Sequence, residues 1–324
     1  MKTEIKEDFQ SPVKVGISTC LLGVSVRYNG GHKHDRFLTD TLGQYVEYVP
    51  VCPEVECGLP VPRESMRLVG KPESPRLVTT RSNIDHTEKM TNWAMMRVKE
   101  LEKEDLCGFI FSSKSPSSGM ERVKVYNEKG IPDNKGVGIF ARIFMEHFPL
   151  IPVEEEGRLH DPVLRENFIG RIFTLKQWRE VIKKPKSVGN IVNYHTRNKL
   201  NILSHSEIHY RKMGRLVAEG KMIPIQDLYK EYENLLMQSL KLKSTQRKNT
   251  NVLQHILGYF KKDLTPDEKQ ELLDIILDYR NGFKPLIVPI TLINHYVRKY
   301  NQPYLKEQTY LNPHPVKLKL RNHV

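Results

Sequence analysis

Three short stretches each carry small nucleophilic or acidic side chains just past a β-branched or aromatic segment. They are Val15-Gly16-Ile17-Ser18-Thr19-Cys20, Val49-Pro50-Val51-Cys52-Pro53-Glu54, and Gly108-Phe109-Ile110-Phe111 running into Ser115-Pro116-Ser117-Ser118-Gly119. If the three segments are parallel strands, residues far apart in sequence meet at one edge, the edge where open α/β sheets bind ligands. Cys20, Cys52 and Glu54 gathered there form a soft-donor pair beside a carboxylate. Such a pair suits zinc or an iron–sulfur cluster. The chain has four cysteines and no Cys-x-x-Cys, so the spacing carries no zinc signature. Arg27, Lys33, Arg63 and Arg67 come from the neighbouring loops, with Tyr28, Asn29, Gly30, Gly31 and His32. This cationic, polar surround fits an anionic or heterocyclic substrate.

The elements that must position these residues follow from periodicity. Residues 14–20 and 46–52 read as strands, with helical spacing between them over Asp35–Tyr45 (Phe37, Leu38, Leu42, Tyr45). A Pro- and Arg-rich loop and a short β-like piece at 76–80 lead into an amphipathic helix over Asp85–Lys103, which feeds the strand Cys107–Phe111. Arg122–Tyr126 reads as a further strand, 130–134 as a turn and Gly138–Phe148 as a helix. Leu150–Val153 reads as a last strand before the acidic Glu154-Glu155-Glu156. Alternation of this kind predicts an α/β domain with a Rossmann-like, mostly parallel sheet.

From about Lys199 the pattern is helical throughout, which predicts an all-α bundle. Its helices read as Ile202–Glu219, Ile225–Leu242, Thr250–Lys262, one beginning at Thr265-Pro266 with Glu268 completing a capping box, and one from Pro289 to Lys299. The expected organisation is an α/β domain over 1–157, a helical linker over 158–198 and an all-α domain over 199–324.

Composition bounds the function. At 324 residues, two domains are expected. No apolar run approaches the roughly 20 residues that span a bilayer, and Met1–Asp8 lacks the apolar core of a signal peptide. The cytoplasm is the expected location, with no membrane association, and no protein partner is indicated. The net charge is +13, and Asn190–Val324 carries 22 Lys and Arg against 12 Asp and Glu. A basic helical half behind a nearly neutral front points to a polyanion, nucleic acid first. Arg211, Lys212 and Arg215 share a segment with His205, His209 and Tyr210, while Lys241, Lys243, Arg247 and Lys248 flank the next helix start. These suit phosphates, and Tyr210 or Tyr229 suits stacking on a base. Leu203, Leu216, Leu253 and Ile256 read as bundle core, with His255 an interior histidine.

The phrases Ser18-Thr19-Cys20-Leu21-Leu22-Gly23, Val26-Arg27-Tyr28-Asn29-Gly30-Gly31-His32-Lys33, Val51-Cys52-Pro53-Glu54 and Lys114-Ser115-Pro116-Ser117-Ser118-Gly119 closely resemble the thiouracil desulfurase family over residues 13–150. The helical half is similar to the domain fused behind it in desulfidases that act on 4-thiouridine of tRNA. Its marks are His205-Ser206-x-x-His209-Tyr210, the segment Asn251–Phe260 and Pro285–Leu292. The resemblance implies a [4Fe–4S] cluster held by three cysteines with one iron open to a thiocarbonyl sulfur. It also implies Glu54 as the proton-handling acid, Ser115 and Ser117 as orienting groups, and a thiolated pyrimidine, with tRNA a further expected partner. Arg27, Tyr28, Lys33, Arg63 and Ser118 are the expected substrate contacts.

The chain departs from that family where many relatives have the third cysteine, because Ser118 stands there. A serine oxygen is a hard, weakly acidic ligand and a poor substitute for a thiolate. Cys107 lies at the wrong end of its strand, roughly 17 Å from the edge. Cys57 shares the loop of Cys52, so Cys20, Cys52 and Cys57 are the expected ligands, with Ser118 lining the site. The alternative is a cluster-free RNA-binding protein that lost the chemistry at Ser118; a third reading is a zinc hydrolase.

Overall fold

The computed structural model describes residues 11–323; the segment Met1–Asp8, read above for a leader, lies outside them. The chain divides into two compact units, residues 1–164 and 165–324.

In the first unit, strands β1 (Lys14–Ser18) and β2 (Glu47–Val51) precede a single helical turn, α1 (Pro53–Glu56). Then come β3 (Met66–Lys71), β4 (Ser74–Thr79) and helix α2 (Thr87–Leu101). The remainder is β5 (Gly108–Phe111), β6 (Val123–Tyr126), β7 (Pro132–Gly136), α3 (Ile139–His147) and β8 (Val153–Glu155). Two four-stranded sheets result, ordered β2-β1-β5-β8 and β4-β3-β6-β7. The first is wholly parallel: Ser18 pairs with Val51 and Ile17 with Ile110, so three strands end level with one another. The second mixes a parallel β3–β6 pair with antiparallel β3–β4 and β6–β7 pairs.

The core explains the first sheet. Phe109 and Phe111 project from β5 to meet Phe140 and Phe144 of α3, with Phe109–Phe144 centroids 4.6 Å apart. Gly16 lies across from Phe109, and a Cβ there would sit 2.2 Å from its ring. A bare backbone at Gly16 is therefore what lets the aromatic layer close over β1.

Several elements differ from the sequence expectation. The helix expected over Asp35–Tyr45 is a π turn (Phe37–Thr41) followed by a 3-10 turn (Leu42–Gln44). Thr39, Thr41 and Gly43 are weak helix formers, and the short crossover needs no regular helix. Strand β3 went unread, and β7 occupies residues read as a turn. Both stand on hairpin pairing supplied by a neighbour rather than on their own apolar alternation.

The second unit is helical: most of α4 (Pro162–Ile182), then α5 (Val188–His205), α6 (Glu207–Ala218), α7 (Ile225–Lys241), α8 (Gln246–Tyr259), α9 (Pro266–Arg280), α10 (Ile287–Lys299) and α11 (Pro303–Lys306). Residues 158–198, expected as a linker, are no separate segment. Phe168, Ile172, Trp178, Ile191 and Tyr194 are buried, and Trp178 packs on Tyr232 at 4.9 Å. The helix expected from Ile202 to Glu219 is broken at Ser206, whose extended backbone and hydroxyl cap the His209 amide. The capping box at Thr265 and Glu268 forms as read. Among the described residues no helix is long and apolar enough to cross a membrane.

Buried histidines inside this unit, His195 and His205 among them, make its stability pH-dependent. Burial pushes the pKa of both His195 and His205 down to about 4, against about 6.5 in an unfolded chain. Between those values the unfolded chain binds more protons, so stability present above about pH 6.5 is lost as pH falls towards 4. Melting temperature should fall from pH 7 to pH 5, and His205→Gln should reduce that slope. A melting temperature independent of pH across this window would contradict the burial.

Candidate active site

The level ends of β1, β2 and β5 open onto a cavity of about 410 Å³. After β1, a 3-10 turn carries Cys20, whose carbonyl accepts from the Lys33 amide at 2.9 Å, fastening the 24–33 loop beside it. After β2, Cys52 is the extended N-cap of α1 and Pro53 its first residue, which sets Glu54 in the first turn. After β5, Ser18 Oγ accepts from the Ser112 amide at 2.9 Å, and Ser115 Oγ accepts from the Ser118 amide at 3.1 Å. The start of α3 grips the same loop, as the Ala141 amide donates to the Ser117 carbonyl at 3.2 Å. Gly138 makes this possible, since a Cβ there would lie 2.5 Å from that carbonyl.

Glu54 is the centre of the polar wall. Its carboxylate accepts from Ser117 Oγ at 2.6 Å, lies 3.7 Å from Cys52 Sγ and 3.8 Å from an Arg63 guanidinium nitrogen. Arg63 is itself held by the Val26 carbonyl at 3.0 Å. Ser115 and Ser118 oxygens lie 3.0 and 3.4 Å from Ser117 Oγ, giving a continuous chain of hydroxyls. Burial, helped by the Glu54 charge, pushes the Cys52 thiol up to about 12, and burial raises Cys20 as well. Both are thiols near neutral pH until a metal or other electrophile takes the proton's place.

The cavity brings together Cys20, Arg27, Tyr28, Lys33, Cys52, Glu54, Arg63, Ser115 and Ser118. Ser117 stands behind that wall, fully buried. Cys57 is absent from the lining. It ends α1, donates to the Glu54 carbonyl at 3.3 Å and packs with Leu68, Leu77, Met90 and Val123. Loop proximity to Cys52 therefore did not translate into reach, because one helical turn points the two side chains into different surroundings. The cavity thus presents two thiols, with a hydroxyl where a third would stand, and this donor set does not fit a cluster held by three thiolates. Among the described residues no group of three or more His, Cys, Asp or Glu side chains is arranged to hold a metal ion. Arg67 leaves the loop surround altogether: it belongs to β3, with its guanidinium over the Tyr126 ring. Cys107 is buried at the far end of β5.

Of the residues expected to meet RNA, Arg211, Lys212, Arg215 and Arg247 are exposed and Tyr210 is half-buried. Arg211 pairs with Glu207 at 2.5 Å. His205 is not available to a partner: it is buried, with Nδ1 2.6 Å from the Leu242 carbonyl. Lys248 is half-buried and its ammonium donates to the His205 and Lys243 carbonyls. Tyr229 is buried with its hydroxyl on the Ser187 backbone, so it cannot stack on a base, whereas His255, read as interior, is exposed. Helix periodicity fixed which residues share a side of each helix but not which side the rest of the bundle covers.

Sequence reasoning also missed Ser112, Ser113 and Glu156. The last strand was read as Leu150–Val153 with the acidic triplet after it, yet β8 is Val153–Glu155 and Glu154, Glu155 and Glu156 are all buried. Their signal was position, directly after the last strand of a parallel sheet, where a carboxylate arrives at the active edge.

A family model described as 2-thiouracil desulfurase matches residues 15–156, and one described as a protein of unknown function (DUF1722) matches residues 199–315. The uncharacterized protein YbgA of Escherichia coli (strain K12) is 34% identical over 153 residues, which are 47% of this chain and 90% of YbgA. The chain belongs to the family of YbgA. It joins a 2-thiouracil desulfurase domain at the front to a DUF1722 region behind. Among solved structures, the [4Fe-4S]-dependent thiouracil desulfidase TudS is 29% identical. The match covers 47% of this chain and 96% of TudS, with a TM-score of 0.39.

The four cysteines should separate by accessibility. With iodoacetamide under reducing conditions, Cys20 should be alkylated first, and Cys57 and Cys107 only after unfolding, as read by peptide mass spectrometry. Labelling of Cys57 as fast as Cys20 would place its thiol in the cavity.

Proposed function

We propose that the first unit is an enzyme that exchanges the thiocarbonyl sulfur of a thiolated pyrimidine for oxygen. Water enters and sulfide leaves, with no net redox change. The substrate is thiouracil or 4-thiouridine, the latter in tRNA or as a nucleoside or nucleotide derived from it. The observation that carries this reading is the Glu54 carboxylate, fixed by Ser117 and Arg63 beside the Cys52 thiol on the cavity wall. The match to the 2-thiouracil desulfurase family supports it.

A cavity of about 410 Å³ lies within the size range of small-molecule sites and has polar groups on several sides. Tyr28 and Arg27 add a flat and a cationic surface to its lining. Glu54 takes a proton from the incoming water, and the Ser115–Ser117 hydroxyl pair keeps the carboxylate aimed. The cluster that the motifs imply has no step in this proposal, because the cavity supplies two thiols and a serine hydroxyl rather than three thiols. The exposed basic residues of α6 and α8 and the positive balance of the chain's second half support tRNA as the carrier of the substrate. Four free cysteines support the reading of a reducing compartment, the cytoplasm.

Sulfide release from 2-thiouracil, measured anaerobically, tests the role of Glu54. Glu54→Gln should lower kcat by about 10²–10⁴-fold with little change in KM, as loss of a general base does. Ser117→Ala should lower kcat less, since it removes only the aim of the carboxylate. Full activity in Glu54→Gln would contradict the assignment.

A further inference from the structure

The cavity is lined by four cations, and they are not equivalent. Arg63 faces Glu54. Arg27 and Lys114 have no carboxylate partner among the described residues, and Arg27 lies over the exposed ring of Tyr28. Lys33 is different. Its ammonium pairs with Glu156 and donates to Ser113 Oγ at 2.9 Å. Glu156 is buried, and its carboxylate also accepts from the Ser113 amide and hydroxyl, each at 2.7 Å. Strand β8 makes this arrangement possible, because the Glu156 amide extends the β5 pairing by donating to the Phe111 carbonyl at 3.2 Å. Lys33, Ser113 and Glu156 thus form a closed triad at the edge of the sheet, with Lys33 and Ser113 on the cavity wall.

An ammonium has three N–H donors and no acceptor. Two are engaged by Ser113 and Glu156, which leaves one for the cavity. The positive charge is compensated by a buried carboxylate that has no other cation among the described residues, so the wall offers a directed donor without a net field. Such a group suits an uncharged oxygen and gives a free phosphate no electrostatic reward for losing its hydration.

We propose that Lys33 and Glu156 act as a specificity pair: Glu156 positions and neutralises Lys33 so that it binds an uncharged carbonyl oxygen of the pyrimidine ring and turns phosphate away from that wall. The pair rests on the reading of the cavity as a thiopyrimidine site. It assigns the ring to the Lys33 side and leaves Arg27 and Lys114 as the cations open to a substrate's anionic parts. Glu156 is a positioning residue that acts only through Lys33 and Ser113.

Calorimetric titration of the full chain with uracil, the product base, and separately with inorganic phosphate tests the pair. Glu156→Gln keeps the shape of the side chain and removes its charge. It should strengthen phosphate binding by about tenfold or more, the scale of one uncompensated charged hydrogen bond, while uracil affinity changes by less than about threefold. Lys33→Gln should weaken uracil binding by about tenfold with no gain for phosphate. Equal phosphate affinity in wild type and Glu156→Gln overturns the proposal, as does unchanged uracil affinity in Lys33→Gln. Should Glu156→Gln fail to fold, the two titrations of Lys33→Gln decide alone. A wild-type protein that binds no uracil overturns the cavity's assignment itself; one that binds uracil but shows no phosphate gain in Glu156→Gln overturns only the pair.

Discussion

The parallel pairing of β1 with β2 on one side and β5 on the other is the constraint on which the first unit depends. It makes three strands end level, so that the residues following each of them share one edge. Without it, Cys20, Cys52 and the Ser112–Ser118 loop would be distant points on one chain. The pairing is in turn enforced by packing. Phe109 rides directly over Gly16, and the aromatic layer of β5 and α3 fills the space that any larger residue at Gly16 would take. Sequence thus reaches chemistry through a glycine with no chemistry of its own.

Above that edge the site is organised by two carboxylates with different tasks. Glu54 is bound by a hydroxyl and a guanidinium and stands beside a thiol, so it remains in touch with the cavity. Glu156 is spent on Lys33 and the Ser113 turn, and its work is to hold and discharge another side chain. Burial raises Glu156, but the Lys33 and Ser113 hydrogen bonds outweigh it and hold its carboxyl below the usual range, as the ionised partner of a salt bridge requires. At the two cavity thiols burial outweighs the hydrogen bonds and nearby cations that favour the thiolate, and it keeps them protonated near neutral pH.

Much of this was legible in the residues. Strand ends beside Cys20, Cys52 and Ser115 follow from β-branched and aromatic runs stopped by turn residues, and the rejection of Cys107 needed only the rise per residue of a strand. The Thr265 capping box is local chemistry and formed as read. What was not legible depends on which neighbour a side chain meets. Cys57 is five positions from Cys52, but the α1 turn sends it into an apolar cluster. His205 and Tyr229 look like contact residues until other helices cover them, and His255 looks interior until none does. Glu156 was read only as part of an acidic run after the last strand, and the register of β8 against β5 reveals its place beside Ser113.

The central claim is that this cavity replaces sulfur by oxygen from water. Anaerobic turnover of 2-thiouracil in ¹⁸O-labelled water, with uracil read by mass spectrometry and sulfide counted, tests it most directly. The account predicts one labelled oxygen in each uracil and one sulfide for each uracil formed. Unlabelled uracil, or conversion without sulfide, would contradict it.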